Sequence, residues 1–204
     1  MRVLILTFIF TLTLVSCKKT TVDPPKNNIP EGATPFTDDD ILFVPYTSES
    51  PIFISQYNDT LKLNFVERKR TQEYYAWDQT FFTFSTDANL KMELRLRYLQ
   101  SDVSKKTLAI YMPYYDNSNQ LRTNLFEMPI DHANVEQSFF ANAVNFYDTL
   151  MVAGTERYNV YEVTELVSTD ANKDGAKNFS KVMYNRTYGI LQMHQKDGLV
   201  WSLN

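Results

Sequence analysis

One stretch of the sequence combines oxygen-bearing side chains with a spacing that could bind a metal ion. Asp170, Asn172 and Asp174 occupy positions 1, 3 and 5 of a loop whose sixth position is Gly175. This arrangement matches the first half of an EF-hand loop, in which hard oxygen ligands surround Ca²⁺ and the glycine allows a sharp turn. Position 12, where a bidentate glutamate belongs, is Lys181, which excludes a helix–loop–helix site. Two alternatives are left: a calcium site in a loop between strands, completed by an acid from elsewhere, and a polar turn.

Catalytic chemistry finds little support in the residue pattern. The two histidines, His132 and His194, belong to neither a Gly-x-Ser-x-Gly nor a His-Glu-x-x-His motif, and we expect them at turns or on the surface. Glycoside hydrolysis needs two convergent carboxyl groups, and no spacing selects a pair among the 24 acidic residues. We therefore expect a protein that is not an enzyme, with a glycan-active hydrolase as a distant alternative.

Aromatic residues are abundant, with 14 Phe, 13 Tyr and 2 Trp. Such side chains can stack on sugar rings and form a ligand-binding platform, but they also fill or edge the cores of β-sheets. The candidates for a binding platform are Tyr74, Tyr75, Trp77, Tyr114 and Tyr115. The sequence leaves both roles open for this group.

Two threonines occur in motifs that resemble acceptor sites for O-glycosylation in Bacteroidetes. Thr60 and Thr149 each lie in the sequence Asp-Thr-Leu. The resemblance implies that glycans are attached to these two hydroxyl groups. Both threonines also suit the interior of β-strands, where β-branched side chains are favoured, so a purely structural role is the alternative.

The single cysteine, Cys17, directly follows a segment with the features of a signal peptide. Arg2 supplies a positive charge, and residues 3–15 contain no charge, Pro or Gly, which suits a secretory segment too short to span a membrane. The four residues that end at Cys17, Leu-Val-Ser-Cys, resemble the lipobox of bacterial lipoproteins. The resemblance implies that residues 1–16 are removed and that Cys17 carries fatty acyl chains such as palmitate. The alternative is an ordinary secretory signal peptide.

Residues 17–40 are predicted to form the lipidated cysteine and a flexible tether. Four of the eight prolines and few large apolar residues fall in this segment, a composition that does not bury enough surface to fold. In lipoproteins an aspartate after the cysteine favours the inner membrane, so Lys18 implies anchoring in the outer membrane. Whether the domain then faces the periplasm or the cell surface is not determined by this pattern.

The overall composition excludes several functional classes. One cysteine rules out an intrachain disulfide and any zinc site with two thiolates. Only five glycines argue against a glycine-rich phosphate loop, and a formal net charge of −4 argues against nucleic acid as the partner.

The elements that would position these residues are strands, because apolar residues recur with a period of two. Within Leu90–Tyr98 every even position is apolar and every odd position is charged, which predicts a strand with one face on a core and the other in water. Further strands are predicted at Ile52–Tyr57, Leu61–Phe65, Phe81–Phe84, Leu108–Met112, Asn145–Val152, Tyr158–Thr164, Lys181–Tyr184, Ile190–Met193 and Leu199–Leu203.

The last two strands are predicted to form a hairpin. Asp197 and Gly198 separate them, and this dipeptide favours a type I′ turn. The C-terminal pattern resembles uncharacterised lipoproteins of the Bacteroidetes cell envelope, and the segments that carry this resemblance are 158–163, 182–185, 188–191, 197–198 and 201–203. The resemblance implies an envelope location and no particular activity.

Residues 41–204 are therefore predicted to form one all-β domain, either an antiparallel sandwich or a curved half-barrel sheet. At most one or two short helices are expected, and the clearest candidate is Ala133–Ala143. We expect a noncatalytic domain that binds a glycan, a lipid or an envelope protein. A structural or assembly component of an envelope complex is the alternative.

Overall fold

The computed structural model describes residues 29–70, 75–131, 142–165 and 178–204. These residues form one short helix and eleven strands, which confirms the predicted all-β fold. The helix is α1 Asp38–Ile41, and the strands are β1 Ile52–Ser55, β2 Thr60–Arg70, β3 Ala76–Phe84, β4 Asp87–Leu99, β5 Asp102–Tyr115, β6 Leu121–Pro129, β7 Asn142–Val152, β8 Thr155–Glu165, β9 Phe179–Asn185, β10 Gly189–Gln195 and β11 Val200–Leu203.

All of these strands belong to one antiparallel sheet with the order β6-β5-β4-β3-β2-β1-β11-β10-β9-β8-β7. Each half of the chain forms a meander, and the two meanders join where β1 pairs with β11, with Phe53 opposite Leu203. The sheet curves until β6, at one edge, contacts β7, β8 and β9 near the other edge. Of the two predicted architectures, the curved sheet is the observed one, and it closes further than a half barrel.

Asparagine side chains join the two edges of the sheet. Asn142 of β7 accepts a hydrogen bond from the backbone N–H of Glu127 at 3.1 Å and donates one to the carbonyl of Leu125 at 3.0 Å. The Asn124 amide of β6 donates to the carbonyl of Phe179 at 2.6 Å. These amides satisfy backbone groups that a continuous strand ladder would otherwise pair, so they close the seam of the barrel.

The interior of the barrel is filled by the inward residues of alternating strands. On β4 the apolar side chains of Met92, Leu94 and Leu96 are buried, as the period of two predicts. The charged residues between them point outward, where Arg95 pairs with Glu93 at 2.7 Å. The alternation predicted for Leu90–Tyr98 is thus confirmed.

The described part of the predicted tether, residues 29–40, packs against the barrel instead of extending away from it. The ring of Phe36 is buried and stacks on Trp77 with a centroid distance of 5.7 Å. It also contacts Tyr98, whose hydroxyl donates to the carbonyl of Thr34 at 3.1 Å. One large aromatic side chain is enough to hold this segment on the core.

The chain continues into one end of the barrel and closes it. Phe43 stacks on Tyr184, whose hydroxyl donates to the Phe43 carbonyl at 2.5 Å. The Tyr46 hydroxyl accepts a hydrogen bond from the backbone N–H of Ile190 at 2.7 Å. Gly189 has a φ of 77°, and a β-carbon there would overlap the Tyr46 hydroxyl. We call residues 29–46 the plug segment and this end of the barrel the closed end.

Arg68 of β2 fixes the plug segment to the sheet. Its Nε and Nη2 atoms donate to Asp78 at 2.9 and 2.7 Å. The remaining N–H groups donate to three plug carbonyls, those of Ile41, Val44 and Tyr46, at 2.9 to 3.1 Å. Because all five guanidinium donors have partners, this arginine connects strand and plug more completely than a lysine could.

The hairpin between β10 and β11 has a different turn from the predicted type I′. Of its loop residues only Gly198 has a positive φ, at 88°. The N–H of Gly198 donates to the carbonyl of Gln195, and the N–H of Gln195 donates to the carbonyl of Leu199. This is a three-residue loop that ends in a left-handed residue, whereas a type I′ turn needs two left-handed residues.

Strand β6 was not among the predicted strands. Its inward positions include Asn124, a polar residue that interrupts the apolar alternation, and it ends at Pro129. The predicted helix at Ala133–Ala143 lies mostly outside the described residues. Its last two positions, Asn142 and Ala143, begin β7.

Candidate ligand-binding cavity

A cavity of about 410 Å³ lies at the end of the barrel opposite the plug segment. We call this end the mouth. The strand termini that meet there are those of β2, β3, β4, β5, β9, β10 and β11. The lining is mostly apolar and aromatic and consists of Leu61, Phe84, Thr86, Asp87, Leu90, Pro113, Tyr114, Tyr115, Phe179, Gln195, Leu199 and Trp201.

The strand period delivers the aromatic rings to this cavity. Tyr114 follows Met112 at the next inward position of β5, close to the end of that strand. Phe84 ends β3, and its ring lies 6.4 Å from that of Phe179, the first residue of β9. Trp201, on β11, is only 8% exposed although it lines the cavity. The mouth is therefore built from rings held on rigid strands.

Three hairpin loops of the same geometry surround the mouth. They connect β1 to β2, β5 to β6 and β10 to β11, and each ends in a left-handed residue: Asn58, Asn119 or Gly198. In each case the N–H of the left-handed residue donates to the carbonyl of the residue just before the loop. The Gln56 amide also donates to the carbonyl of Gly198 at 3.2 Å, which ties two loops together. Short, internally bonded loops give the cavity a defined rim.

The one charged side chain that lines the cavity among the described residues is Asp87. Its Oδ1 atom accepts the backbone N–H of Asn89 at 2.9 Å, and its Oδ2 atom accepts the Tyr115 hydroxyl at 3.1 Å. The hydrogen bond to this carboxylate raises the pKa of Tyr115, so the phenol stays protonated and acts as the donor.

Tyr114 lies in a more enclosed environment. Burial raises its pKa, and the negative charge of Glu165 raises it further. Two ion pairs border this position: Lys196 lies 3.2 Å from Glu165, and Arg122 lies 3.0 Å from Asp116. Tyr114 therefore presents a neutral phenol to the cavity.

The five aromatic residues considered from the sequence do not form one platform in the described residues. Tyr114 and Tyr115 line the mouth cavity. Tyr75 and Trp77 lie at the opposite, closed end, since the Tyr75 carbonyl pairs with the end of β4 and Trp77 stacks on the plug. Tyr74 lies outside the described residues. Strands β3 and β5 both pair antiparallel with β4, so they run in the same direction. Residues early in β3 and residues late in β5 therefore lie at opposite ends of the barrel.

Of the lining residues only Tyr114 and Tyr115 were candidates from the sequence; Asp87 was not, and neither were three aromatic residues, Phe84, Phe179 and Trp201. Two of them lay in predicted strands, and their inward orientation follows from alternation. Their convergence depends on the strand order, which brings residues far apart in sequence to the same end. The signal that could have found them is an aromatic residue within two positions of a strand terminus.

Several other candidate residues lie outside the described part of the chain. These are Cys17, His132 and the calcium-loop residues Asp170, Asn172 and Asp174. Within the described residues, no cluster of three or more His, Cys, Asp or Glu side chains is arranged to hold a metal ion.

The remaining candidates are described and lie on strands. Thr60 and Thr149 are both exposed, at the start of β2 and within β7. His194 is half-buried on β10, and its Nε2 atom lies 2.7 Å from the Gln192 side-chain oxygen. Burial and the nearby Lys181 lower the pKa of His194 to about 4, so it is neutral at physiological pH.

Comparisons with known proteins identify no relative of this chain, so a proposal about its function depends on the cavity. No family model, no curated protein and no solved structure matches the chain. In the described residues, no helix has the length and apolar character needed to cross a membrane.

Proposed function

We propose that this protein is an envelope lipoprotein whose barrel binds a small, largely apolar ligand in the mouth cavity without transforming it. The observation that carries the proposal is the cavity of about 410 Å³, which falls within the usual size range of small-molecule sites. One end of the barrel is filled by the plug segment, whereas the other end retains this space.

The lining favours an apolar ligand over a glycan. Thr86, Asp87 and Gln195 bring polar side chains, the hydroxyls of Tyr114 and Tyr115 and the N–H of Trp201 are the other polar side-chain groups, and most of the lining surface is apolar. A sugar would leave many hydroxyl groups without partners against such walls, which is unfavourable. Burial of apolar surface against the rings is the stabilising contribution expected here.

The surroundings of Asp87 favour binding of the ligand without a chemical reaction. Its two carboxylate oxygens accept hydrogen bonds from Asn89 and Tyr115. Among the described lining residues no second carboxyl group, histidine or cysteine stands beside it to complete an acid–base or nucleophilic pair. Asp87 is better suited to recognition than to proton transfer.

Filling the cavity tests the binding proposal. Leu90→Trp adds a bulky side chain to the lining and should weaken binding of the neutral fluorescent probe N-phenyl-1-naphthylamine by about tenfold or more. Titration with the probe and its fluorescence gain measure this affinity. Val66→Trp, at a residue 54% exposed outside the cavity, is the matched control and should bind like the wild type. Equal weakening in both variants, or no probe binding by the wild type, would contradict the proposal.

The anchor forms the second part of the proposal and rests on the lipobox-like residues that end at Cys17. Labelled palmitate should be incorporated into the wild-type protein and not into Cys17→Ala, because the thiol is the attachment point. Membrane fractionation should show the same difference, since two or three acyl chains anchor a protein firmly. Equal labelling of both proteins would contradict lipidation at Cys17 and would leave the cavity proposal intact.

A further inference from the structure

Resting on the proposed binding function, we propose that the ligand of the mouth cavity is an organic cation with an apolar body, such as a quaternary or methylated ammonium compound. The described lining of the cavity contains one carboxylate, Asp87, and no lysine, arginine or histidine. The charge of the site therefore selects against an anionic headgroup, even though its walls suit an acyl or aryl body.

Two basic residues that border the lining are engaged in ion pairs, and Lys62 and Lys91, next to the lining residues Leu61 and Leu90, are exposed on the outer face of the sheet. Arg122 contacts Asp116 at 3.0 Å, and Lys196 contacts Glu165 at 3.2 Å. Each pair is close to neutral as a unit, so neither supplies a net positive potential at the cavity. The carboxylate of Asp87 has no ion pair within the described residues, where its partners are the Asn89 N–H and the Tyr115 hydroxyl.

The rim adds to the negative potential. Asp59 and Asp197 lie in two of the rim loops, where they bond to Ser55 and to the N–H of Leu199. The described residues provide no ion pair for either of them. These carboxylates favour the approach of a cation over that of an anion.

The aromatic lining provides the second interaction that a cation needs. Five rings contribute to the walls: Phe84, Tyr114, Tyr115, Phe179 and Trp201. The faces of such rings carry partial negative charge and bind ammonium groups, most strongly where water is excluded. Both tyrosines are kept neutral in this environment, so they retain the phenol ring that favours such contacts. A carboxylate beside several rings is the combination that recognises alkylated ammonium groups.

Competition among three probes of similar shape tests the charge preference on the full chain. Benzyltrimethylammonium is the cation, neopentylbenzene is its neutral carbon isostere and phenylmethanesulfonate is an anion of similar size. Each displaces N-phenyl-1-naphthylamine from the cavity, and the concentration for half displacement is measured. We expect the cation to act at a concentration about tenfold lower than the isostere and the anion to be weakest.

Asp87→Asn should remove most of the difference between the cation and its isostere while leaving displacement by the isostere unchanged. Asp102→Asn, at the start of β5 and therefore at the closed end, removes one negative charge far from the lining and is the matched control, which should retain the preference. If the isostere or the anion equals the cation in the wild type, the cation proposal is overturned although binding in the cavity stands. If the fluorescent probe itself does not bind, the proposed function fails and this inference fails with it.

Discussion

The position of His194 on β10 determines the charge of its side chain. Burial, with Lys181 nearby, lowers its pKa from 6.5 to about 4. The folded protein therefore binds this proton less readily than the unfolded chain does. Stability associated with neutral His194 is fully present above about pH 6.5 and is lost as the pH falls toward 4.

Replacement of this histidine should flatten the acid side of the stability profile. We expect His194→Gln to lose less stability than the wild type between pH 7 and pH 4.5, because glutamine does not titrate. Urea midpoints measured at several pH values for both proteins give the comparison. Carboxylates that titrate at low pH affect both proteins alike, so parallel profiles would show that His194 does not contribute.

At the scale of elements, the amide side chain of Asn142 supplies two hydrogen bonds across the seam between β6 and β7. Asn142 is 2% exposed and bonds to two backbone groups of β6, at Glu127 and Leu125. A buried backbone group left without a partner costs about 1–3 kcal/mol. The described strands β6 and β7 share no strand ladder, so these side-chain bonds contribute directly to joining the two edges.

Asn142→Ala should therefore destabilise the fold by about 1–3 kcal/mol, because the buried N–H of Glu127 and the partly buried carbonyl of Leu125 lose their partner. Urea denaturation with a shared slope gives the difference in free energy of unfolding. Asn145→Ala is the matched control on the same strand, since its amide bonds to Glu162 in an exposed position. If Asn142→Ala lowers the free energy of unfolding by less than about 0.5 kcal/mol, its effect is that of an ordinary surface substitution. That result would contradict the stabilising role of Asn142 at the seam.

At the scale of the whole molecule, the barrel has one filled end and one open end. The plug segment supplies buried rings to the core, including Phe36, Phe43 and Tyr46. Charged contacts hold it in place: Lys106 donates to the Pro35 carbonyl at 2.8 Å and pairs with Asp40 at 2.7 Å. The segment that begins the described chain is therefore part of the folded body.

Arg68→Ala should loosen this plug and lower the free energy of unfolding by about 3–5 kcal/mol, because Asp78 is left buried without its partner. Limited proteolysis should then cut within residues 29–46 before it cuts the strands. Lys69→Ala is the control on the next residue, whose exposed pair with Glu67 has an N···O distance of 3.6 Å and contributes little. Simultaneous cleavage of plug and strands would show that the plug does not open separately.

Much of the fold could be predicted from the sequence, because alternation is a local property. The inward face of β4 and most strand positions follow from it. The order of the strands and the closure of the barrel do not, since they depend on contacts between distant residues such as Asn124 and Phe179. The same limit applies to the cavity: Tyr114 and Tyr115 were candidates, but their separation from Trp77 follows from the sheet topology.

The tether boundary could not be predicted for a different reason. Composition averages over a segment, whereas the docking of residues 29–40 depends on one ring, that of Phe36, in a site formed by Trp77 and Tyr98. A single anchor of this kind leaves no periodic pattern in the sequence. Local rules therefore describe the strands better than they describe the segments that pack across the barrel ends.

The pairing of β1 with β11 has a consequence for the order of folding. Strand β11, the last of the described strands, lies in the middle of the sheet, and its ladder with β1 links the two meanders. Contacts between residues so far apart in sequence form slowly, because a long loop must close before they stabilise anything. Each meander can begin to pair alone, but the strand ladder becomes continuous only when Leu203 has paired with Phe53.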